Sequence, residues 1–268
     1  MELGLGGKVA LVTGAGQGVG RGIARMLAAE GAAVIVNDFY AERAESVCEE
    51  IRQAGGTAQA GVADVTDYGA VSEVVRIAGE TLGPVDILVN NAGIPPRRDE
   101  SERAGHYRSF IDTSPGDWGG MLDVNINGAL NCTHAVLGSM TQRRSGKIVS
   151  IISEAGRVGE PKLAAYSAAK AAVFGFTKAI AKEAGRHRIN VNCIALGAVD
   201  ADGRTLDEVA GAERDFFAKV IRSYPIGIGL NRFSNPDDVA GAVAFFASDR
   251  SAYVTGQCLS LSGGYVMT

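Results

Sequence analysis

The chain has 268 residues, 46% hydrophobic and 21% charged, with a net charge of −4. This is globular composition with enough length to bury a sizeable core, and its acidic balance speaks against nucleic acid and anionic membrane surfaces, which select basic patches. No apolar run approaches the roughly 18 residues of a membrane span, residues 1–8 lack the basic-then-apolar pattern of a secretory leader, and Cys48, Cys132, Cys193 and Cys258 form no C-x-x-C pair, so free buried thiols and a cytoplasmic location are expected.

In chain order, Val9-Ala10-Leu11-Val12 is an apolar run closed by a glycine-rich turn, the pattern of a buried strand. Val19, Ile23, Met26 and Leu27 then recur at helical spacing until Gly31 ends the helix. A second strand at 34–36 precedes a helix over 41–53, and a third near 58–62 precedes a helix from about 67 to 82. Residues 87–89, 147–152, 189–195 and 258–261 read as four further strands, with helices near 115–143, 164–184 and 236–248. This alternation predicts βαβ units with right-handed crossovers. The expected fold is a single α/β domain over residues 1–268, doubly wound and Rossmann-type, its central parallel sheet of about seven strands covered by helices on both faces. Residues 94–114 and 197–225 fit no element. Both follow strand C-terminal ends, where such a sheet binds its ligand, so they are expected to be substrate loops.

Thr13-Gly14-Ala15-Gly16-Gln17-Gly18-Val19-Gly20 stands between the first strand and the first helix. Glycines let the backbone approach a pyrophosphate, and the helix N-terminus offers N–H groups and a positive dipole end. A plain tight turn is the alternative, and the strand–turn–helix context favours phosphate. No G-x-x-x-x-G-K-[ST] loop is present. Asp38 closes the second strand, followed by Phe39. A carboxylate there accepts hydrogen bonds from an adenosine ribose and repels a 2′-phosphate, and no Arg or Lys stands in the glycine turn or immediately after Asp38, so NAD is expected rather than NADP. Capping of the second helix is the alternative role for Asp38.

Tyr166-Ser167-Ala168-Ala169-Lys170 lies in the helical stretch after the fifth strand, which places Tyr166 and Lys170 on one face. An ammonium beside a phenol favours the phenolate, drawing its pKa below the usual value of about 10 and suiting it to proton exchange with a hydroxyl. Y-x-x-x-K alone is a common pattern. Here Ser153 ends the fifth strand, Asn125 sits in Val124-Asn125-Ile126-Asn127-Gly128, and Asn90-Asn91-Ala92-Gly93 closes the fourth strand. With Asp64-Val65, these motifs in this order resemble the short-chain dehydrogenase/reductase family over residues 6–266.

The resemblance implies an NAD-dependent oxidoreductase interconverting a secondary alcohol and a ketone by hydride transfer. It implies Tyr166 as general acid/base, Lys170 lowering its pKa and bonding the nicotinamide ribose, Ser153 holding the substrate oxygen, and Asn125 fixing a water that links Lys170 to solvent. On the cofactor side it implies Gly14, Gln17, Gly18, Val19 and Gly20 around the pyrophosphate, Asp38 and Phe39 at the adenosine, Asp64 and Val65 at the adenine, the backbone of Asn91 and Gly93 along the cofactor, and Val199 at the carboxamide. It also implies a small-molecule substrate and a homotetramer built through the helices near 115–143 and 164–184 and the last strand. His106, His134 and His187 lack metal-ligand spacing, so no catalytic metal is expected.

Three features depart from the family pattern. Leu196-Gly197-Ala198-Val199-Asp200-Ala201 replaces P-G-x-V-x-T, which removes a fixed φ and a hydroxyl and shifts cofactor orientation toward backbone contacts and a flexible 200–225 loop. Ser262-Gly263-Gly264 replaces D-G-G. The segment between Asn91 and Asn125 is long and carries Arg97, Arg98, Arg103, His106 and Arg108 among Asp99, Glu100 and Glu102. It reads either as a solvated, self-compensating loop or as a lid whose arginines meet a carboxylate or the phosphates of a coenzyme A thioester. Glu154 and Glu160 are expected at the site mouth, available to such arginines. The substrate expectation is a 3-hydroxyacyl thioester or another hydroxy compound. A non-catalytic cofactor-binding subunit of the same fold is the alternative, and the intact Asn125, Ser153, Tyr166 and Lys170 set counts against it.

Overall fold

Short strands that are apolar on both faces need helices on both sides of the sheet. The computed structural model, which describes residues 3–93 and 109–267, meets that need with one parallel seven-stranded sheet. The chain runs β1 (Val9–Val12), α1 (Gly18–Ala29), β2 (Ala33–Asp38), α2 (Ala41–Gln53), β3 (Thr57–Val62), α3 (Tyr68–Thr81) and β4 (Ile87–Asn90). It continues through α4 (Gly119–Leu122), α5 (Gly128–Arg143), β5 (Gly146–Ser153), α6 (Ala155–Val158), α7 (Ala164–Ala184) and β6 (Ile189–Leu196). The last elements are α8 (Gly211–Val220), α9 (Pro225–Leu230), α10 (Pro236–Ala247) and β7 (Cys258–Leu261).

The strand order β3-β2-β1-β4-β5-β6-β7 reverses direction between β1 and β4, which makes that crevice the topological switch point. Because every pairing is parallel, all carboxyl ends lie along one edge. Asp38 is opposite Val62, Val12 is opposite both Val36 and Val89, and Ser153 is opposite Leu196. Side chains alternate across the sheet. Ala10 and Val12 pack with Ile23, Leu27, Val239 and Val243 on one face, while Val9 and Leu11 pack with Val71, Val136, Met140 and Ile148 on the other. Each fully buried aliphatic side chain contributes about 1.5–3 kcal/mol. Helices α1 and α10 meet so closely that a Cβ on Gly22 would stand 2.6 Å from Pro236 Cβ, so this helical glycine is a packing requirement.

Among the described residues, no helix is long and apolar enough to cross a membrane. All four thiols are free; Cys48, Cys132 and Cys193 are buried as expected, but Cys258 is only half-buried because β7 is an edge strand.

Two stretches differ from the sequence expectation. The helix expected near 115–143 starts as a 3₁₀ turn, Pro115–Asp117, with Ser114 and Asp117 forming a capping box. After the single turn of α4 it widens into a π turn, Asp123–Asn127, and the long regular helix begins at Gly128. The Asn125 side-chain amide donates to Met121 O at 2.9 Å, so a side chain competes for a carbonyl of the helix ladder just where the turn widens. The stretch over 197–225, expected to be irregular and flexible, contains α8 and the start of α9. Phe217 and Ile221 bury against Val209 and Phe233 in a satellite core that holds this segment in place. Of the substrate loop expected over 94–114, residues 94–108, with the arginines and His106, lie outside the described residues, while 109–114 hold a 3₁₀ turn, Phe110–Asp112, whose Phe110 stacks on Trp118.

Candidate active site

The glycine turn is shaped by contacts that leave no room for side chains. Gly14 has φ +59°, and a Cβ there would stand 2.9 Å from Ala92 Cα; one on Gly20 would stand 2.2 Å from Gly14 O. Thr13 and Asn91 lock this turn to the end of β4. Asn91 Nδ2 donates to Thr13 O (2.8 Å) and Gly14 O (3.1 Å), while the Asn91 and Ala92 amides donate to Thr13 Oγ1. Asn90 reaches the other way, donating to Thr133 Oγ1 at 3.1 Å. Exposed Gln17 occupies the N-cap of α1 with no side-chain capping bond, which leaves the first-turn amides of Gly18, Val19 and Gly20 without the cap a helix N-terminus commonly carries.

Asp38 is buried, and its carboxylate accepts from the amides of Gly16 (3.0 Å) and Tyr40 (3.0 Å). It therefore borders the glycine turn directly, and the structure shows no side-chain capping bond for α2. Phe39 is exposed and packs edge-on against Tyr40, their ring centres 5.1 Å apart. The fold also brings Arg43 to this place. Its guanidinium lies 4.4 Å over the Tyr40 ring, and its Cβ would be 2.6 Å from a Cβ on Gly16. This cation stands neither in the glycine turn nor immediately after Asp38 in sequence; the first turn of α2 carries it there. Asp64 holds Thr66 through its amide and hydroxyl (2.9 and 2.8 Å). Val65 is buried against α5, and its carbonyl accepts from Asn131.

Lys170 is buried beneath the crevice. Its Nζ donates to Ile151 O at 3.2 Å and lies 5.8 Å from the centre of the half-buried Tyr166 ring. Burial lowers its pKa to about 8. A Cβ on Gly93 would stand 2.7 Å from Asn125 Oδ1 and 3.2 Å from Lys170 Nζ, so β4, the π turn and α7 converge at one point. Ser153 Oγ accepts from the Ala155 amide at 3.2 Å. The turn behind Ser153 presses on α7, where a Cβ on Gly156 would be 2.7 Å from Lys170 Cβ. Asn125 and Lys170 are thus brought together beside Tyr166, and the turn that follows Ser153 packs on Lys170.

The departures acquire physical meaning. Val199 packs at the edge of the first core cluster and pairs with Ser234. Burial alone would raise the Asp200 carboxyl, but hydrogen bonds from Arg204 hold it below the usual range. Arg204 also reaches Glu213 on α8, so an ion-pair bridge fastens the segment where proline is missing. Ala201 faces the cofactor turn, its Cβ 4.0 Å from where a Cβ on Gly18 would stand. Ser262 is buried, accepts from the Val266 amide (3.2 Å) and donates back to the Val266 carbonyl, folding the C-terminal segment into a turn. Glu154 and Glu160 also find partners there. Glu154 is buried, pairs with Arg157 at 3.0 Å and accepts from Ser260; Glu160 accepts from the Tyr265 hydroxyl. Among the described residues, no cluster of His, Cys, Asp and Glu could hold a metal ion.

A glycine-cradled helix N-terminus at the switch point, a carboxylate at the end of β2 and a buried lysine beside a tyrosine define a dinucleotide-binding oxidoreductase site. The family model of the short chain dehydrogenases matches residues 8–208. The chain is 38% identical over 264 residues to the (2S)-[(R)-hydroxy(phenyl)methyl]succinyl-CoA dehydrogenase subunit BbsD of Thauera aromatica, covering 98% of each chain. It is also 38% identical over 264 residues to a 3-oxoacyl-[acyl-carrier-protein] reductase of Synechocystis, covering 97% of each. Gluconate 5-dehydrogenase from Burkholderia cenocepacia, solved with NADP and tartrate, superposes with a TM-score of 0.85 at 33% identity, covering 98% of this chain and 97% of that one. The chain belongs to the short-chain dehydrogenase/reductase family, a family of Rossmann-fold oxidoreductases that bind a nicotinamide cofactor.

Proposed function

We propose that the protein is an NAD-dependent oxidoreductase interconverting a secondary alcohol and a ketone, with Tyr166 as general acid/base and a 3-hydroxyacyl thioester as the substrate class. The observation that carries the reading is the convergence of Lys170 Nζ, Asn125 and Gly93 beside Tyr166. Bound along the glycine turn, the nicotinamide cofactor supplies the hydride acceptor or donor. The crowded glycines, the open first-turn amides of α1 and the Asp38 carboxylate fit that group. In oxidation the Tyr166 oxygen takes the hydroxyl proton, and Lys170, while protonated, favours the phenolate that does so. Ser153 Oγ and the Tyr166 hydroxyl donate hydrogen bonds to the substrate oxygen as charge develops on it in the reverse direction. Asn125 holds a water connecting Lys170 to solvent. Gly14, Gln17, Gly18, Val19, Gly20, Asp64, Val65, Asn91, Gly93 and Val199 complete the cofactor contacts.

NAD is favoured by the position of Asp38, whose charge would meet a 2′-phosphate, while the nearby Arg43 is stacked on Tyr40. The Burkholderia neighbour holds NADP, so the choice rests on this residue rather than on the fold. Asp38→Asn keeps a hydrogen-bond acceptor and removes the charge. It is expected to reduce the NAD-over-NADP ratio in kcat/KM by about 10- to 100-fold, the scale of a charged hydrogen bond of 1.5–3 kcal/mol. The thioester reading draws on the BbsD and acyl-carrier-protein reductase names. A cytoplasmic homotetramer, with its free thiols kept reduced, completes the proposal.

The test is a spectrophotometric screen of secondary alcohols and 3-hydroxyacyl thioesters with NAD and NADP in parallel. Cofactor reduction with NAD, fastest on the thioesters, is the expected result. Preference for NADP, or no reduction by any compound, would overturn the assignment.

A further inference from the structure

The two carboxylates between Ser153 and Tyr166 are both engaged by residues more than 100 positions downstream. Buried Glu154 accepts from Ser260 Oγ while paired to Arg157, which pins the base of the segment beside Ser153. Glu160 sits at its other end. Its amide donates to Ser167 Oγ at 3.2 Å and its carbonyl accepts from the Leu163 amide, so Glu160 is tied to the first turn of α7, the turn that carries Tyr166. The Glu160 carboxylate accepts from the Tyr265 hydroxyl, and this bond together with burial raises the Tyr265 pKa to about 12.

The Tyr265 ring stacks on Tyr224, centres 5.0 Å apart at 20°. The Tyr224 hydroxyl accepts from the Ala198 amide at 3.2 Å, one residue before Val199. The stack is wedged in place, since a Cβ on Gly197 would stand 2.8 Å from the Tyr224 ring. Gly263 and Gly264 take positive φ to turn the chain here, with Pro225 3.2 Å from a Cβ on Gly264. The Tyr166 turn and the Gly197–Val199 strand exit are therefore joined through a pair of tyrosines and one carboxylate, none of which belongs to the proposed proton-transfer set.

We infer that Tyr265 is a positioning residue for the substrate: with Glu160 and Tyr224 it braces the Tyr166 turn against the Ala198 strand exit and sets the width of the substrate side of the crevice. This rests on the oxidoreductase reading above. The brace reaches the Ala198 amide, next to Val199, but neither the glycine turn nor Asp38, which carry most of the proposed cofactor contacts, so its loss acts chiefly on substrate binding. Tyr265→Phe keeps the ring stack and removes the bond to Glu160. Glu160→Ala removes the same bond from the other side, and Glu160→Gln retains a carbonyl acceptor for Tyr265.

The assay is NADH-linked turnover of acetoacetyl-CoA or, if the wild type leaves it unreduced, of whichever compound in the screen it turns over fastest. A failed thioester reading and a failed positioning role are then read separately. Tyr265→Phe and Glu160→Ala are each expected to raise substrate KM about 5- to 10-fold, the scale of one lost hydrogen bond, with kcat and cofactor KM within about two-fold of wild type. The double variant is expected to be no worse than either single, and Glu160→Gln to recover most of the loss. Unchanged substrate KM in both single variants, additive effects in the double variant, or a parallel rise in cofactor KM would overturn the inference. Amide hydrogen exchange adds a readout that needs no substrate: the Ala198 amide should exchange faster in Tyr265→Phe, and exchange at the wild-type rate counts against the brace.

Discussion

Tyr166→Phe is expected to lower kcat for alcohol oxidation by about 10³-fold, within the 10²–10⁴-fold range of a lost general acid/base. The phenyl ring fills nearly the same volume on α7. Folding and the dissociation constant for NADH should therefore stay within about two-fold of wild type, as measured by thermal melting and fluorescence titration. Turnover at the wild-type rate would reverse the assignment of Tyr166 as general acid/base.

Lys170→Met is expected to separate activity from stability. Turnover should fall by at least about 10²-fold, because the phenolate of Tyr166 loses its cationic neighbour. Stability at pH 7 should rise. Burial depresses the lysine from the usual 10.5 to about 8, a gap equivalent to about 3 kcal/mol against the folded state whenever both states carry the proton. Methionine removes that penalty but also removes the donor to Ile151 O, which returns about 1 kcal/mol. The net gain of about 2 kcal/mol corresponds to a rise in Tm of roughly 4–8 °C for a domain of this size. The sign fixes the pH dependence. Below pH 8 the folded protein carries a buried charge and the variant's advantage is complete. Between pH 8 and 10.5 the folded lysine is neutral and the unfolded one still charged, so the wild type gains stability with pH and the advantage shrinks; above 10.5 it is gone. Melting curves at pH 7 and pH 10 test this, and an advantage that grew with pH would contradict it.

The strand–turn–helix units were legible because their signals are local. Val9–Val12 carries a buried run, α1 a helical stripe, and the turn between them glycines whose positive φ and crowding no other residue tolerates. Helix α8 had its signal in Phe217, Val220, Ile221 and Tyr224 at helical spacing, masked by the charged residues around them and by its packing in a small satellite core rather than the main one. The π turn at Asn125 was not legible, since propensity does not report when a side-chain amide takes a carbonyl from the helix ladder.

By itself the sequence determined the element order, the cofactor turn, Asp38 at the end of β2, and the pairing of Tyr166 with Lys170 four residues on, all consequences of chain periodicity within about 30 residues. Only the tertiary structure decided that Arg43 stacks beside the glycine turn, that Glu154 and Glu160 are committed to Ser260 and Tyr265 at separations of 106 and 105 residues, and that Lys170 is buried enough to lose part of its basicity. Burial and partner choice depend on which distant segments the sheet order brings to one edge, and no local pattern encodes that.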